Sequence, residues 1–407
     1  MKNVAIVASC DTKFKEVEFM KNSFISKNIN PIVIDISIGL ENNYKADITR
    51  EAVFKSINKD WQDIKNLSKG DLITLMMAAI KIKVLELYSK NLFDGIISMG
   101  GVQNTYIATS AMRALDLGVP KVITTTIACG KRSFDQVVGQ SDIVVIPSIS
   151  DFTGLNIITE MSMSHAISCM QGMLLDNERA LKKSKKKVVG VTLMGISNTG
   201  AQAAINELEK NGIEAIGFHA TGVGGYIMDN LASTGIIDGI LDLNLHEISS
   251  EHFKGGFSYG DGQRLIDPIE KNIPIILAPA GLDFIDYKVD EFPFALEERK
   301  YVMHNSILAH IKITKKEALE IGTLLGNRIS NSKKIIEMLV PTNGFRANTR
   351  PNEKLYDPEI DDLLIETIKE KSKGKIKITY IEGNLNEKQW GLEAAKKMIK
   401  LLGEQNV

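Results

Sequence analysis

The chain has 407 residues, 44% hydrophobic and 24% charged, with 49 basic against 50 acidic side chains and a formal net charge of −1. That balance excludes nucleic-acid or membrane-surface binding driven by bulk positive charge, and no apolar run approaches the roughly 20 residues that span a bilayer. The length suffices for two domains with separate cores, and three scattered cysteines, Cys10, Cys129 and Cys169, suit a reduced cytoplasmic protein without a disulfide framework.

The amino terminus, MKNVAIVASCDTK, has one Lys and then a short apolar run broken at Cys10-Asp11. It reads as a buried strand over Val4 to Ala8 and not as a signal peptide. A helix from Phe14 to Ser26 and a strand from Pro31 to Ile36 follow. Asp11, Thr12 and Lys13 thus fall at the carboxyl end of a parallel strand, where open α/β sheets place ligands. Lys13 suits a phosphate; Asp11 suits either Mg²⁺ or a helix cap. Residues 40 to 66 are polar and weakly periodic and read as turns with short helices. A long helix is expected from Gly70 or Asp71 to Tyr88, with Leu72, Leu75, Met76, Ala79, Ile80, Val84 and Leu87 on its buried side.

The central stretch, Asp94 to Lys131, reads as strand, glycine turn, helix, strand, glycine turn. Its first strand, Gly95 to Met99, ends in Gly100-Gly101 and a polar turn with Asn104 and Thr105; its second, Val122 to Ile127, ends at Ala128 to Gly130. Backbone N–H groups at the start of the helix after Gly101 suit an anion. The spacing is neither GxGxxG nor GxxxxGK[ST], so the motif alone specifies no nucleotide. A strand at Ile143 to Ile146, a loop at Ser148 to Asn156 and a helix from Ile157 to Ala180 complete a domain over 1–181. The run Lys182 to Lys187 reads as a basic linker, with a phosphate or nucleic-acid patch as the competing use.

The second half, 188–407, restarts in the same style, with strands at Val188 to Leu193 and Glu214 to Phe218 around a helix over Ala201 to Asn211. Further strands are expected at 239–243, 273–278, 335–340 and 375–381, and helices at 261–271, 314–330, 358–371 and 387–402. The fold class is α/β, two Rossmann-like doubly wound domains with mainly parallel sheets covered on both faces. Strand 214–218 runs into HATGVGG (219–225). There Thr221 and the amides of Gly222, Gly224 and Gly225 either wrap a phosphate or carboxylate or make a tight turn requiring positive φ. None of the six histidines has zinc-ligand spacing. His219, at a strand end, is a binding or general-base candidate. Asp283 and Asp286, Asp151 and Asn156, and Arg264 also lie beyond strand ends, and capping is the competing use for each. No GxSxG turn is present.

Taken together, DTKFKE (11–16), SMGGVQNT (98–105), AMRALDLGVPKVITTTIACG (111–130), SDFTGLN (150–156), FHATGVGG (218–225), GGFSYGDGQRL (255–265), LDFIDY (282–287) and HN (304–305) make the chain resemble one family. It is the ATP-binding domain family named after the tomato mosaic virus resistance protein. The family's usual GGSGGT reads GGVQNT here, the usual Glu after HATGxGG is Asp229, PGALD reads PAGLD, and an expected Arg is Lys312. The resemblance implies two α/β domains that bind ATP with Mg²⁺ and self-associate into a dimer or higher homo-oligomer. On this reading Gly100, Gly101, Asn104 and Thr105 offer donors to phosphates, Thr125, Thr126 and Gly130 form the adjoining wall, and Lys13 supplies charge. A second reading is a metabolic enzyme for a small sugar acid or sugar phosphate, held by HATGVGG and Arg264, with His219 and Asp283 as acid/base pair. A third is a protein-interaction module.

Overall fold

The computed structural model describes residues 1–39, 44–128, 135–176, 183–255, 262–293 and 295–404. The chain forms two compact units, Met1–Lys182 and Lys183–Val407.

The first unit is built on five strands: β1 (Lys2–Ala8), β2 (Ile29–Asp35), β3 (Gly95–Gly100), β4 (Lys121–Thr125) and β5 (Val144–Pro147). They lie in the order β2-β1-β3-β4-β5, every pairing parallel. The two-residue period of β1 shows why the sheet is covered twice. Ala5 and Val7 point into a core shared with helices Lys69–Ser89 and Val102–Met112. Val4, Ile6 and Ala8 point the other way, against helices Phe14–Ser26 and Ile157–Leu175. The chain first steps from β1 to β2 on one side and then to β3 on the other. The crossovers therefore diverge at the carboxyl ends of β1 and β3, the switch point that opens a crevice in such sheets.

The second unit repeats this plan. Strands β6 (Val188–Leu193), β7 (Glu214–His219), β8 (Gly239–Asn244) and β9 (Ile275–Ala280) belong to one sheet. Then come β10 (Phe284–Lys288), β11 (Tyr301–Met303) and β12 (Leu308–Lys312), and finally β13 (Ile336–Pro341) and β14 (Ile376–Ile381). The parallel sheet runs β14-β13-β9-β8-β6-β7, again with a switch between its first and third strands, β6 and β8. Helices Asn198–Lys210 and Lys388–Gly403 cover one face through Ala201, Ala204, Trp390 and Ala394.

Three elements depart from the sequence reading. β10, β12 and β11 form a separate antiparallel sheet in that order; their buried positions include Asp286, His310 and Lys312, so no apolar alternation announces them. Of the helix expected over 261–271, residue 261 lies outside the described residues, and the rest is helical only at Ile266–Glu270, because Leu265 before it sits at φ 66°. β4 stops at Thr125, and Thr126–Ala128 is a short 3₁₀ turn. Gly130 lies outside the described residues.

Candidate functional site

At the first unit's switch point a cavity of about 540 Å³ is lined by Ser9, Asp11, Thr12 and Lys13 from the exit of β1, and by Gly101 to Asn104 from the exit of β3. The volume is in the range of small-molecule sites. Two helices begin at it. Neither Lys13, before helix Phe14–Ser26, nor Gly101, before helix Val102–Met112, caps its helix with a side chain. The first-turn N–H groups of a helix have no intrahelical acceptor and carry its positive end. Lys13 Nζ donates to the carbonyl of Phe152 at 2.6 Å, and Glu16 accepts from Gly154 N–H at 3.0 Å. These bonds bring DTKFKE and SDFTGLN together. Asp151 accepts from its neighbour's amide, and Asn156 makes a capping box with Thr159, so both serve the local backbone.

The structure adds lining residues that the sequence reading missed. Lys65, whose Nζ donates to Gln62 Oε1 at 2.7 Å, and Lys69 add two more lysines to the lining, and Ile38, Leu67 and Leu72 an apolar wall. Leu67 and Val102 are 45% and 47% exposed at its edge. The only sequence signal was Lys-x-Leu-x-Lys before the long helix, which resembles a solvated helix start. Asp11 Oδ2 accepts from Gly39 N–H at 3.1 Å, while Oδ1 is buried without a hydrogen-bond partner.

Several expected phosphate donors are already engaged. Asn104 Oδ1 accepts from Ser9 N–H at 3.0 Å, and its Nδ2 donates to Ser98 Oγ at 2.9 Å and Met99 O at 2.7 Å. It is a latch tying the exit of β1 to that of β3. Thr105 and Thr125 share a hydroxyl–hydroxyl bond of 2.6 Å, and both are fully buried. Their side chains are therefore corrected from ligand contacts to internal support. Thr126, half-buried, stands near Gly101 outside the cavity lining. Gly100 has φ 148°, and a Cβ there would press on Asn104 at 2.9 Å. At Gly101 a Cβ would come no closer than 3.9 Å to Thr126 Oγ.

The second glycine loop is different. HATGVGG follows β7, an edge strand, and not either switch strand. Gly222 has φ 122°. A Cβ on Gly224 would strike the backbone of His219, and one on Gly225 would strike Glu247 and Arg264. Gly225 N–H donates to Glu247 Oε1 at 3.1 Å, so a carboxylate of the chain itself occupies the helix start. Arg264, fully buried, donates from Nε to Glu247 Oε2 at 2.9 Å and from its two terminal nitrogens to Asp229 and Asp242. One guanidinium cannot neutralise three carboxylates: burial pushes Asp229 up to about 6 and raises Glu247 against the pull of Arg264. Arg264, read as an anion-holding residue, is thus committed to internal acids, and Thr221 Oγ bonds His219 Nδ1 at 2.7 Å.

His219 and Asp283 are not brought together. His219 ends β7 and Asp283 follows β9, with β6 and β8 between them in the sheet; three steps of about 4.8 Å separate such strands by roughly 14 Å. Asp283 is fully buried between Lys312 Nζ at 3.2 Å and Arg346 Nε at 3.1 Å. Burial alone would raise its pKa, but the two cations outweigh it and hold it at about 2. It stays ionised near neutral pH, which removes it as an acid/base partner. Asp286 likewise pairs with His246 Nε2 at 2.8 Å. Among the described residues no group of three or more His, Cys, Asp or Glu could hold a metal, and no helix is long and apolar enough to cross a membrane.

Comparison with known proteins matches residues 2–179 to the Uncharacterised protein family (UPF0261) N-terminal domain and residues 186–402 to its C-terminal domain. A UPF0261 protein of Clostridium tetani is 32% identical over 404 residues, covering 98% of this chain and 99% of that protein. The ToMV resistance protein Tm-1(GCR237) of Solanum lycopersicum is 28% identical and covers 89% of this chain; the match spans half of that protein. Of solved structures, UDP-GlcNAc 2-epimerase from Neisseria meningitidis covers 99% of this chain and 100% of its own at 10% identity and a TM-score of 0.25, a likeness too slight to bear on function.

Proposed function

This chain belongs to the UPF0261 family, and from that premise we propose that its first unit binds ATP with Mg²⁺ in the switch-point crevice. One observation carries the reading: a cavity of about 540 Å³ at the β1/β3 switch, lined by Lys13, Lys65 and Lys69, at which two helices start without side-chain caps. Convergent amides and cations at a switch point suit a polyphosphate. Ile38, Leu67, Leu72 and Val102 give the same cavity an apolar side against which a base can pack.

Within this reading the phosphates take the amides after Gly101 and the three ammonium groups, and Asn104 holds the two strand exits at fixed separation. Asp11 fits the metal: its free Oδ1 is a single hard-oxygen ligand, and Mg²⁺ in nucleotide sites takes one or two carboxylates, the remaining positions going to phosphate oxygens and water. The bound ion would supply charge neutralisation between carboxylate and phosphates. The acid/base reading of His219 with Asp283 has no such support, because the two are apart and Asp283 is sealed. Isothermal titration of the full chain with ATP and Mg²⁺ is expected to give saturable heat and a raised melting temperature, as any ligand selective for the folded state must. No heat and no thermal shift at millimolar nucleotide would remove the proposal.

A further inference from the structure

Arg346 stands out in the second unit because it is fully buried and only partly partnered. Its Nε donates to both oxygens of Asp283, at 3.1 and 3.2 Å, and the ring of Phe284 lies 4.0 Å from the guanidinium carbon. Nη1 and Nη2 have no hydrogen-bond partner. On the same aromatic ring, 4.7 Å away, sits His310, also buried, and its Nδ1 has none either. Buried nitrogens are hydrogen-bonded in nearly all native proteins, so two side chains flanking one ring and both lacking partners need an explanation.

The neighbouring acids do not supply one. Asp286 is taken by His246 Nε2 and by Ser250 Oγ at 3.1 Å. Lys312 and Arg346 bring two positive charges against Asp283 and Asp361. Burial raises the pKa of Asp361 against the pull of Lys312, to which it is paired. The cluster is left with unfilled donors beside two fixed cations, Lys312 and Arg346. Two unfilled terminal nitrogens on one guanidinium form a planar fork, and an oxyanion takes both prongs at once in a charge-assisted pair.

We propose that Arg346 and His310 form the floor of a second-unit site for a small oxyanion, a carboxylate or a phosphate group, gripped by the two terminal nitrogens of Arg346 across the Phe284 ring. His310 serves through Nδ1, since burial and the nearby Arg346 hold it neutral, its pKa down to about 3, and a neutral imidazole can place its proton on either nitrogen. His304 marks the approach. It is exposed, stacks on His310 at 4.8 Å and 15°, and is followed closely by Ile307, 61% exposed. An anionic head would thus sit deep while the rest of a small organic acid or phosphate ester meets His304 and Ile307. The site shares no residue with the first-unit crevice.

The test titrates the full chain, in a buffer free of other oxyanions, with inorganic phosphate and separately with pyruvate, by calorimetry and thermal shift. Saturable binding of either supports the site, and the arm that binds identifies the head group. Arg346→Lys keeps the charge but loses the fork and should weaken that binding about tenfold or more. Lys13→Met should leave it unchanged, which separates it from any phosphate taken by the first unit. If Arg346→Lys does not fold, His310→Phe decides: it keeps the aromatic packing, gives up no bond at Nδ1, and should weaken the anion several-fold. No saturable binding of either compound, or binding that survives both Arg346→Lys and His310→Phe, overturns the proposal.

Discussion

The two glycine-rich turns, Gly100–Thr105 and His219–Gly225, look alike in sequence: each follows a parallel strand and leads into a helix. Each meets the same physical demand, since a helix start leaves amides that need an acceptor. In the second unit the chain provides it, because Glu247 accepts from Gly225 N–H and is in turn gripped by Arg264. In the first unit no side chain caps the helix start, and three lysines line the space in front of it. Glycine therefore has two meanings here. At Gly225 a side chain would collide with the protein; at Gly101 it would meet nothing nearer than Thr126 Oγ1 at 3.9 Å. A glycine motif becomes evidence for a ligand only when the protein's own atoms fail to account for it.

The largest effect expected from this contrast is in the filled turn. Arg264→Met removes the guanidinium that pairs with Asp229, Asp242 and Glu247, and breaking a buried ion cluster from one side costs about 3–5 kcal/mol. Urea unfolding should show that loss, while ATP titrated into the folded variant binds as in the wild type. A loss under about 1 kcal/mol, the range of an exposed pair, would mean that the cluster does not hold the second turn. A smaller effect is expected from Asp283. Its folded pKa of about 2 lies below the unfolded value near 3.9, so its contribution is complete above about pH 4 and is lost as pH falls from there through 2. Asp283→Asn should be less stable at neutral pH and lack that acid-induced loss. Equal slopes for both proteins in acid unfolding would contradict the assignment.

How much of this was legible beforehand follows from the same contrast. The parallel strands could be read because their residues are apolar on both sides, as Val4 to Ala8 are, and the ends of β1 and β3 could be found from Asp11 and Gly100. The sequence could not distinguish an open turn from a filled one. That depends on Glu247, 22 residues beyond Gly225, and on Arg264, 39 beyond it, whose arrival is decided by tertiary folding. Lys65 and Lys69 were missed for the converse reason: they come to the crevice from a segment whose polarity resembles any solvated loop. The antiparallel sheet went unread because Asp286, His310 and Lys312 occupy buried positions on it, and a strand whose interior is a charge cluster lacks the period that identifies strands.

In the open turn the expected effects fall on affinity. Lys13 lines the crevice and makes one bond from Nζ to Phe152 O, which leaves two of its three ammonium protons for a ligand. Lys13→Met should weaken ATP about 10- to 100-fold, the scale of one charge-assisted hydrogen bond of ~1.5–3 kcal/mol. The folded protein should lose little stability. An unchanged dissociation constant by calorimetry would move the phosphates away from Lys13.

Gly101→Ala should have the smallest effect on stability and separates the two meanings of glycine most cleanly. Its φ of −83° is open to any residue, and the added methyl would meet only Thr126 Oγ at 3.9 Å, an ordinary contact. Alanine at a helix cap costs about 0.5–1 kcal/mol at most relative to glycine, so the melting temperature should barely move. A phosphate drawn onto the amides after Gly101 would meet that methyl, and ATP affinity should fall although no donor has been removed. Gly225→Ala is the mirror experiment: it forces a methyl onto Glu247 and Arg264, so it should unfold the second unit and leave the first unit's nucleotide affinity intact. If Gly101→Ala binds ATP as the wild type does, the helix start is not the phosphate seat, and the crevice must hold its ligand through the lysines alone.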